Sequence, residues 1–197
     1  MDIKGFIPFL FNLYSVNYIL NHINIYIEVY LVIYLWVGKA QEKDKMKTAI
    51  FMMGSPGSGK SYVASSKYPN TQVLDCDKFK ESHPDYDPKN PGLLHTWSAS
   101  MLEKAFQVVI TKEEDFILDG TGANTDKMFR QMSQSKINGF EVTLVYVTVP
   151  LKVCLERNQK RARTVPEDVL ISKYNDVKYG FELVSPHADE VKVVNNV

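Results

Sequence analysis

The sequence predicts an α/β fold in which a parallel sheet of about five strands, filling residues 46–197, is covered by helices on both faces. Three observations carry this expectation. Short apolar runs of strand length alternate with helix-compatible stretches, the pattern of successive β-α-β units. The run from Glu141 to Val149 is almost continuously apolar and β-branched, as a strand buried on both faces of a parallel sheet should be. The run Thr48 to Met53 passes directly into a glycine-rich loop and then a helix-compatible stretch, Tyr62 to Tyr68.

Composition sets the limits of the domain. The 197 residues carry 23 Lys and Arg against 23 Asp and Glu, so no long-range field exists to wrap a polyanion, and a duplex-coating protein is excluded. A hydrophobic content of 45% is too high for a disordered tether. The average conceals a division, because residues 5–38 hold a single formal charge, Glu28. Residues 1–45 therefore read as an apolar N-terminal extension, spurious, disordered or a weak membrane anchor. Its apolar stretches, Phe6 to Phe11 and Ile23 to Val37, are interrupted by Asn12, Asn17, Asn21 and Asn24 and fall short of the roughly 20 residues that span a bilayer. A membrane partner is not expected. The abundance of Ile, Asn, Tyr and Phe, all served by A/T-rich codons, suits upstream DNA read in frame, with Met46 as the natural start. Cys76 and Cys154 lie far apart and form no CxxC pair, which fits a reducing, cytoplasmic setting.

The first element, Thr48 to Met53, leads into Gly54-Ser-Pro-Gly-Ser-Gly-Lys-Ser61, which fits G-x-x-x-x-G-K-S/T at every defined position. Gly54, Gly57 and Gly59 permit positive φ and close backbone approach, so successive N–H groups of the loop can point inward at phosphate oxygens. A helix opening near Gly59 adds its positive dipole end. Lys60 can reach the β- and γ-phosphates of a nucleoside triphosphate, and the Ser61 hydroxyl can ligate Mg²⁺. Gly54, Ser55, Pro56, Gly57, Ser58, Gly59, Lys60 and Ser61 are therefore the expected nucleotide-binding residues. The fold expectation sharpens to a three-layer α/β/α P-loop NTPase of kinase type, since the guanine-reading Asn-Lys-x-Asp of a GTPase is absent and about 150 residues are too few for a motor ATPase.

A second strand ends at Val73-Leu74 and delivers Asp75 and Asp77 to the rim where such sheets bind ligands. One carboxylate can serve as a general base and the other as the cap of the helix that follows; spacing alone does not choose between them. A third strand, Phe116 to Leu118, closes on Asp119-Gly-Thr-Gly122, an apolar strand ending in an acid placed to hold Mg²⁺. After the fourth strand and Pro150, a helical stretch ends in Arg157-Asn-Gln-Lys-Arg-Ala-Arg163, whose cations could form a lid over transferring phosphate. Val165-Pro166-Glu-Asp opens another helix, and Glu190 to Asn195 reads as the last strand. Tyr86 and Trp97 could stack a base. His22, His83, His95 and His187 show no ligand spacing.

Gly54 to Ser61, Leu74-Asp-Cys-Asp-Lys-Phe-Lys-Glu-Ser-His-Pro84 and Asp119-Gly-Thr-Gly122 together resemble the zeta toxins, P-loop kinases that phosphorylate UDP-N-acetylglucosamine. The later run, Val149-Pro150 through Glu156-Arg-Asn-Gln-Lys-Arg-Ala-Arg-Thr-Val-Pro166 and Asp168-Val-Leu170, is closer to the kinase domain of phage-type polynucleotide 5′-kinases. The two similarities span about Thr48 to Asn195. They imply ATP and Mg²⁺ as cofactors and γ-phosphate transfer to a hydroxyl of a UDP-N-acetylglucosamine-type nucleotide sugar, with a nucleic-acid 5′ end as the alternative acceptor. A true toxin would also have an antitoxin protein partner. Carried over by position, the resemblance makes Asp77 the general base, Lys80 the substrate-phosphate contact of the 5′-kinases, Arg161 their lid arginine, Arg157 and Arg163 the paired arginines of the zeta toxins, and Thr121 a substrate contact. The chain departs from the zeta toxins in carrying Asp119 where they have glutamate, and in being much shorter beyond the lid. A non-enzymatic alternative, an inactive nucleotide-binding module on a membrane anchor, is opposed by the intact set Lys60, Ser61, Asp77 and Asp119.

Overall fold

A computed structural model of the chain describes residues 46–161 and 164–197; the expectations for residues 1–45 and for Arg163 lie outside them. Five strands, β1 (Lys47–Met53), β2 (Gln72–Asp75), β3 (Phe116–Asp119), β4 (Phe140–Thr148) and β5 (Glu190–Asn195), form one sheet in the order β2-β3-β1-β4-β5. Every pairing is parallel. Among the described residues six α-helices connect them: α1 (Lys60–Lys67), α2 (Cys76–Glu81), α3 (His95–Lys112), α4 (Thr125–Ile137), α5 (Leu151–Gln159) and α6 (Glu167–Val184). The strands expected from the apolar runs are present to within a residue or two. No motif or unbroken apolar stripe in the sequence marks α3 or α4, whose buried faces include Ser98, Gln131 and Ser135. Among the described residues no helix is long and apolar enough to cross a membrane.

The period of two along β1 builds the three layers. Ala49, Phe51 and Met53 point into the larger core with Phe106 of α3, Met132 of α4 and Val177 of α6. Ile50 and Met52 point the other way, against Val63 and Ala64 of α1 and Val145 and Val147 of β4. Phe116 centres the larger core, with edge-on contacts to Phe51, Phe106 and Phe140 at centroid distances of 6.3, 5.7 and 5.5 Å. It is fully buried, and truncation to alanine should cost about 3–5 kcal/mol. The central strand β1 has β3 on one side and β4 on the other. The chain crosses first to one flank and then to the other, so a crevice opens above the carboxyl end of β1, where open α/β sheets bind ligands.

Candidate active site

The loop after β1 is anchored on both sides. The Gly54 N–H donates to the Thr121 carbonyl at 3.2 Å, joining the loop to the turn after β3, and the Ser58 N–H donates to the Ser55 carbonyl at 3.1 Å. Ser55 Oγ lies 3.1 Å from the buried Cys154 Sγ of α5. Gly57 has φ +85°, and a Cβ there would come within 2.9 Å of the Cys154 carbonyl oxygen, so conformation and space both require glycine. Lys60 curls over the loop, its Nζ donating to the carbonyls of Gly54 at 2.8 Å and Ser55 at 3.3 Å. Burial lowers the Lys60 pKa, with Asp119 opposing the shift. Ser58 Oγ is buried without a partner among the described residues. A desolvated ammonium and an orphaned hydroxyl in one loop suit an anion that supplies acceptors to both.

The acids gather on the β2–β3 side. Asp75 and Asp119 are register partners at the carboxyl ends of adjacent parallel strands. Asp75 is the cap of α2, accepting from the Asp77 N–H at 2.8 Å. Asp77, half-exposed in the first turn, pairs with Lys80 Nζ at 2.9 Å. Lys80 is only 6% exposed, so its ammonium is turned inward onto Asp77. The Ser61 hydroxyl donates to Asp119 Oδ2 at 3.2 Å. Desolvation raises the Asp119 pKa and Asp77 adds to the rise, while Lys60 and the Ser61 hydrogen bond oppose it. Asp75 is raised for the same leading reason, its cap bond to Asp77 opposing. The Ser61 hydroxyl and the Asp119 carboxylate are hard oxygen donors, and a divalent cation would relieve the crowding of negative charge around Asp119; the residues fit Mg²⁺.

The lid side is organised differently from the sequence expectation. Arg157, near the end of α5, donates through Nη2 to the Asn196 carbonyl at 2.9 Å and reaches the carbonyls of Gly57 and Ser58 at 3.4 and 3.5 Å. Arg161 is exposed in a bend after α5. An open pocket of about 380 Å³ is lined by Gly57, Gly59, Tyr62, Arg157, Arg161 and Asn196. Thr121 contributes its carbonyl to Gly54, while its hydroxyl accepts from the Ala123 N–H at 3.3 Å. Trp97 packs edge-on against His83, with ring centroids 4.5 Å apart. Sequence reasoning did not find Asn196, and no motif could have marked it, since it only follows the last strand. The structure thus brings together Lys60, Ser61, Asp75, Asp77 and Asp119 around the loop, with Lys80 behind Asp77 and Arg157 behind the loop.

Residues 36–197 match the family model described as Zeta toxin. The chain is 29% identical over 114 residues to the Toxin zeta of Enterococcus hirae, a stretch covering 52% of this chain and 40% of that relative. It therefore spans about two fifths of the length of the curated relative it matches. Among solved structures, one from the PezAT chromosomal toxin–antitoxin system of Streptococcus pneumoniae superposes with a TM-score of 0.59 at 18% identity, covering 78% of this chain and 69% of that one. Shikimate kinase from Acinetobacter baumannii, in complex with shikimate, gives a TM-score of 0.50 at 16% identity, covering 79% and 88%. At these identities the structural likeness is one of fold.

Proposed function

The chain belongs to the zeta toxin family, and we propose that it is an ATP- and Mg²⁺-dependent phosphotransferase that moves the γ-phosphoryl group to a hydroxyl of a UDP-N-acetylglucosamine-type nucleotide sugar. One observation carries the proposal: Lys60, the Ser61–Asp119 pair and Asp77 converge on a single phosphate cradle at the carboxyl ends of β1, β2 and β3. In this reading Asp77 takes the proton of the acceptor hydroxyl, the oxygen bonds to the γ-phosphorus, and the bond to the β-phosphate oxygen breaks to release ADP. Asp75 is committed to its cap bond and leaves this role to Asp77. Lys60 exchanges its loop carbonyls for phosphate oxygens, and Arg161 adds positive charge from the lid. Ser61 and Asp119 would hold Mg²⁺, which when bound neutralises charge on the phosphates.

Lys80, buried and turned onto Asp77, is read as orienting the base more than as a contact to a backbone phosphate, which favours a small acceptor over a nucleic-acid 5′ end. Thr121, at the crevice beside the loop, is a candidate acceptor contact. A cytoplasmic setting supplies both ATP and nucleotide sugars. The toxin–antitoxin origin of one structural relative suggests an antitoxin protein as partner. The decisive experiment offers labelled ATP and Mg²⁺ to the full chain with UDP-N-acetylglucosamine, 5′-hydroxyl RNA and 5′-hydroxyl DNA in parallel. Label should pass to the nucleotide sugar. Transfer to the nucleic acids alone would select the 5′-kinase reading, and ATP binding without transfer would favour a nucleotide-binding module.

A further inference from the structure

We infer that Asn196 is a positioning residue of the phosphate cradle, acting with Arg157 as a clamp on the outer, carbonyl side of the loop. The inference rests on the reading that Gly54 to Ser61 binds a nucleoside triphosphate, and it assigns a role to a residue outside every motif in the chain.

Asn196 leaves the end of β5 with its backbone already fixed, since its N–H donates to the Thr148 carbonyl at 3.1 Å in continuation of the β4–β5 ladder. From that point its side-chain Nδ2 donates to the Ser58 carbonyl at 2.9 Å. Its own carbonyl accepts from Arg157 Nη2 at 2.9 Å, and Arg157 Nη1 lies 3.5 Å from the same Ser58 carbonyl and 3.4 Å from that of Gly57. The Ser58 carbonyl thus attracts two donors, one neutral and one cationic. In a planar trans peptide the C=O and the following N–H point in opposite directions. Drawing the Ser58 carbonyl toward β5 therefore aims the Gly59 N–H away from β5, the orientation an inward-facing phosphate donor needs.

Gly59 itself shows how closely the clamp is fitted. It has φ +90°, and a Cβ there would collide with Asn196 Nδ2 and approach Arg157 Nη1 to 3.8 Å. Glycine at this position is required by the clamp as well as by the backbone conformation. Arg157 belongs to the same device: its guanidinium is engaged with three backbone carbonyls, which defines it as a positioning residue and not as a free lid cation. Without the clamp the Ser58–Gly59 peptide can rotate, and ATP must spend binding energy restoring it.

The test compares the full chain with Asn196→Ala and with Val194→Ala, the latter loosening β5 where it packs on the smaller core. Calorimetric titration with ATP and Mg²⁺ gives affinity, and thermal melting without nucleotide gives stability. Asn196→Ala should weaken ATP binding about tenfold, the scale of one hydrogen bond lost to a strained loop. Val194→Ala should lower the melting temperature while keeping ATP affinity within about twofold. Combining Asn196→Ala with Arg157→Ala should cost less than the sum of the two single changes, since they share one carbonyl. An Asn196→Ala chain that binds ATP within twofold of the unmutated one, or a Val194→Ala chain that loses as much affinity, overturns the clamp. An unmutated chain that binds no ATP overturns the nucleotide reading itself.

Discussion

The two flanks of the central strand treat the phosphate loop in opposite ways. On the β2–β3 side, Asp75, Asp77 and Asp119 crowd together with Lys60 and Lys80, and burial holds Asp75 and Asp119 above their ordinary carboxylate range and Lys60 below its own. On the β4–β5 side, the residues lining the pocket beside the loop are Tyr62, Arg157, Arg161 and Asn196, cationic or neutral, and Arg157 and Asn196 are bonded to backbone carbonyls. One flank stores electrostatic tension that a cation and a phosphate would relieve. The other holds the loop still while that happens. Sites that react are commonly destabilised in this way, and the scaffold around them supplies the rigidity.

The largest expected effect tests which flank does the chemistry. Asp77→Asn should reduce turnover about 10²- to 10⁴-fold while ATP affinity measured by titration stays within about twofold. Turnover close to that of the unmutated chain would move the base elsewhere and dissolve the contrast between the flanks. Next comes Asp119→Asn, expected to cost about 10²-fold in Mg²⁺-dependent turnover. It should also show the tension directly. Because the folded state raises the Asp119 pKa, it binds that proton more tightly than the unfolded chain does, so the contribution of this group to stability is greatest at low pH and falls as pH rises through the raised value. Melting curves from about pH 4 to 8 should therefore show the unmutated chain losing stability relative to the variant as pH rises.

A smaller effect is expected from Lys80→Met, which removes the ammonium facing Asp77. The acid limb of the kcat/KM profile should move to higher pH, with about a tenfold loss at neutral pH. A uniform drop with no movement of the limb would assign Lys80 a packing role only. The smallest effect sharpens the role of Asp75. Asp75→Ala should cost about 1 kcal/mol of stability through loss of the α2 cap, whereas Asp75→Asn, which keeps an acceptor without the charge, should cost no more than a few tenths. Equal losses in chemical denaturation would show that the charge, not the cap, is what α2 needs.

The elements that were legible in the sequence are those whose signal is local. Gly54 to Ser61 needs only eight consecutive residues, and the strands β1 and β4 announce themselves by unbroken apolar runs. The choice between Asp75 and Asp77 was not legible from spacing, because both suit the rim; only the observed bond from the Asp77 N–H identifies the cap. Helices α3 and α4 are not legible in the sequence because polar residues occupy their buried stripes and find partners across the structure, as Gln131 of α4 does with Glu103 of α3 at 3.3 Å, and those partners are invisible to a periodicity argument.

By itself the sequence determined that a phosphate cradle exists, that parallel strands alternate with helices, and that acids follow the second and third strands. Each of these is written in neighbouring residues, through side-chain period, glycine placement and caps. Only the tertiary structure decided that the acids stand on one flank and Asn196 on the other, that Lys80 turns inward, and that Arg157 braces the loop. Strand order sets those outcomes, and strand order depends on which distant apolar faces bury together. Asn196 and Ser58 meet across 138 residues, a separation over which no local propensity acts and only the packing of β5 beside β4 can place one against the other.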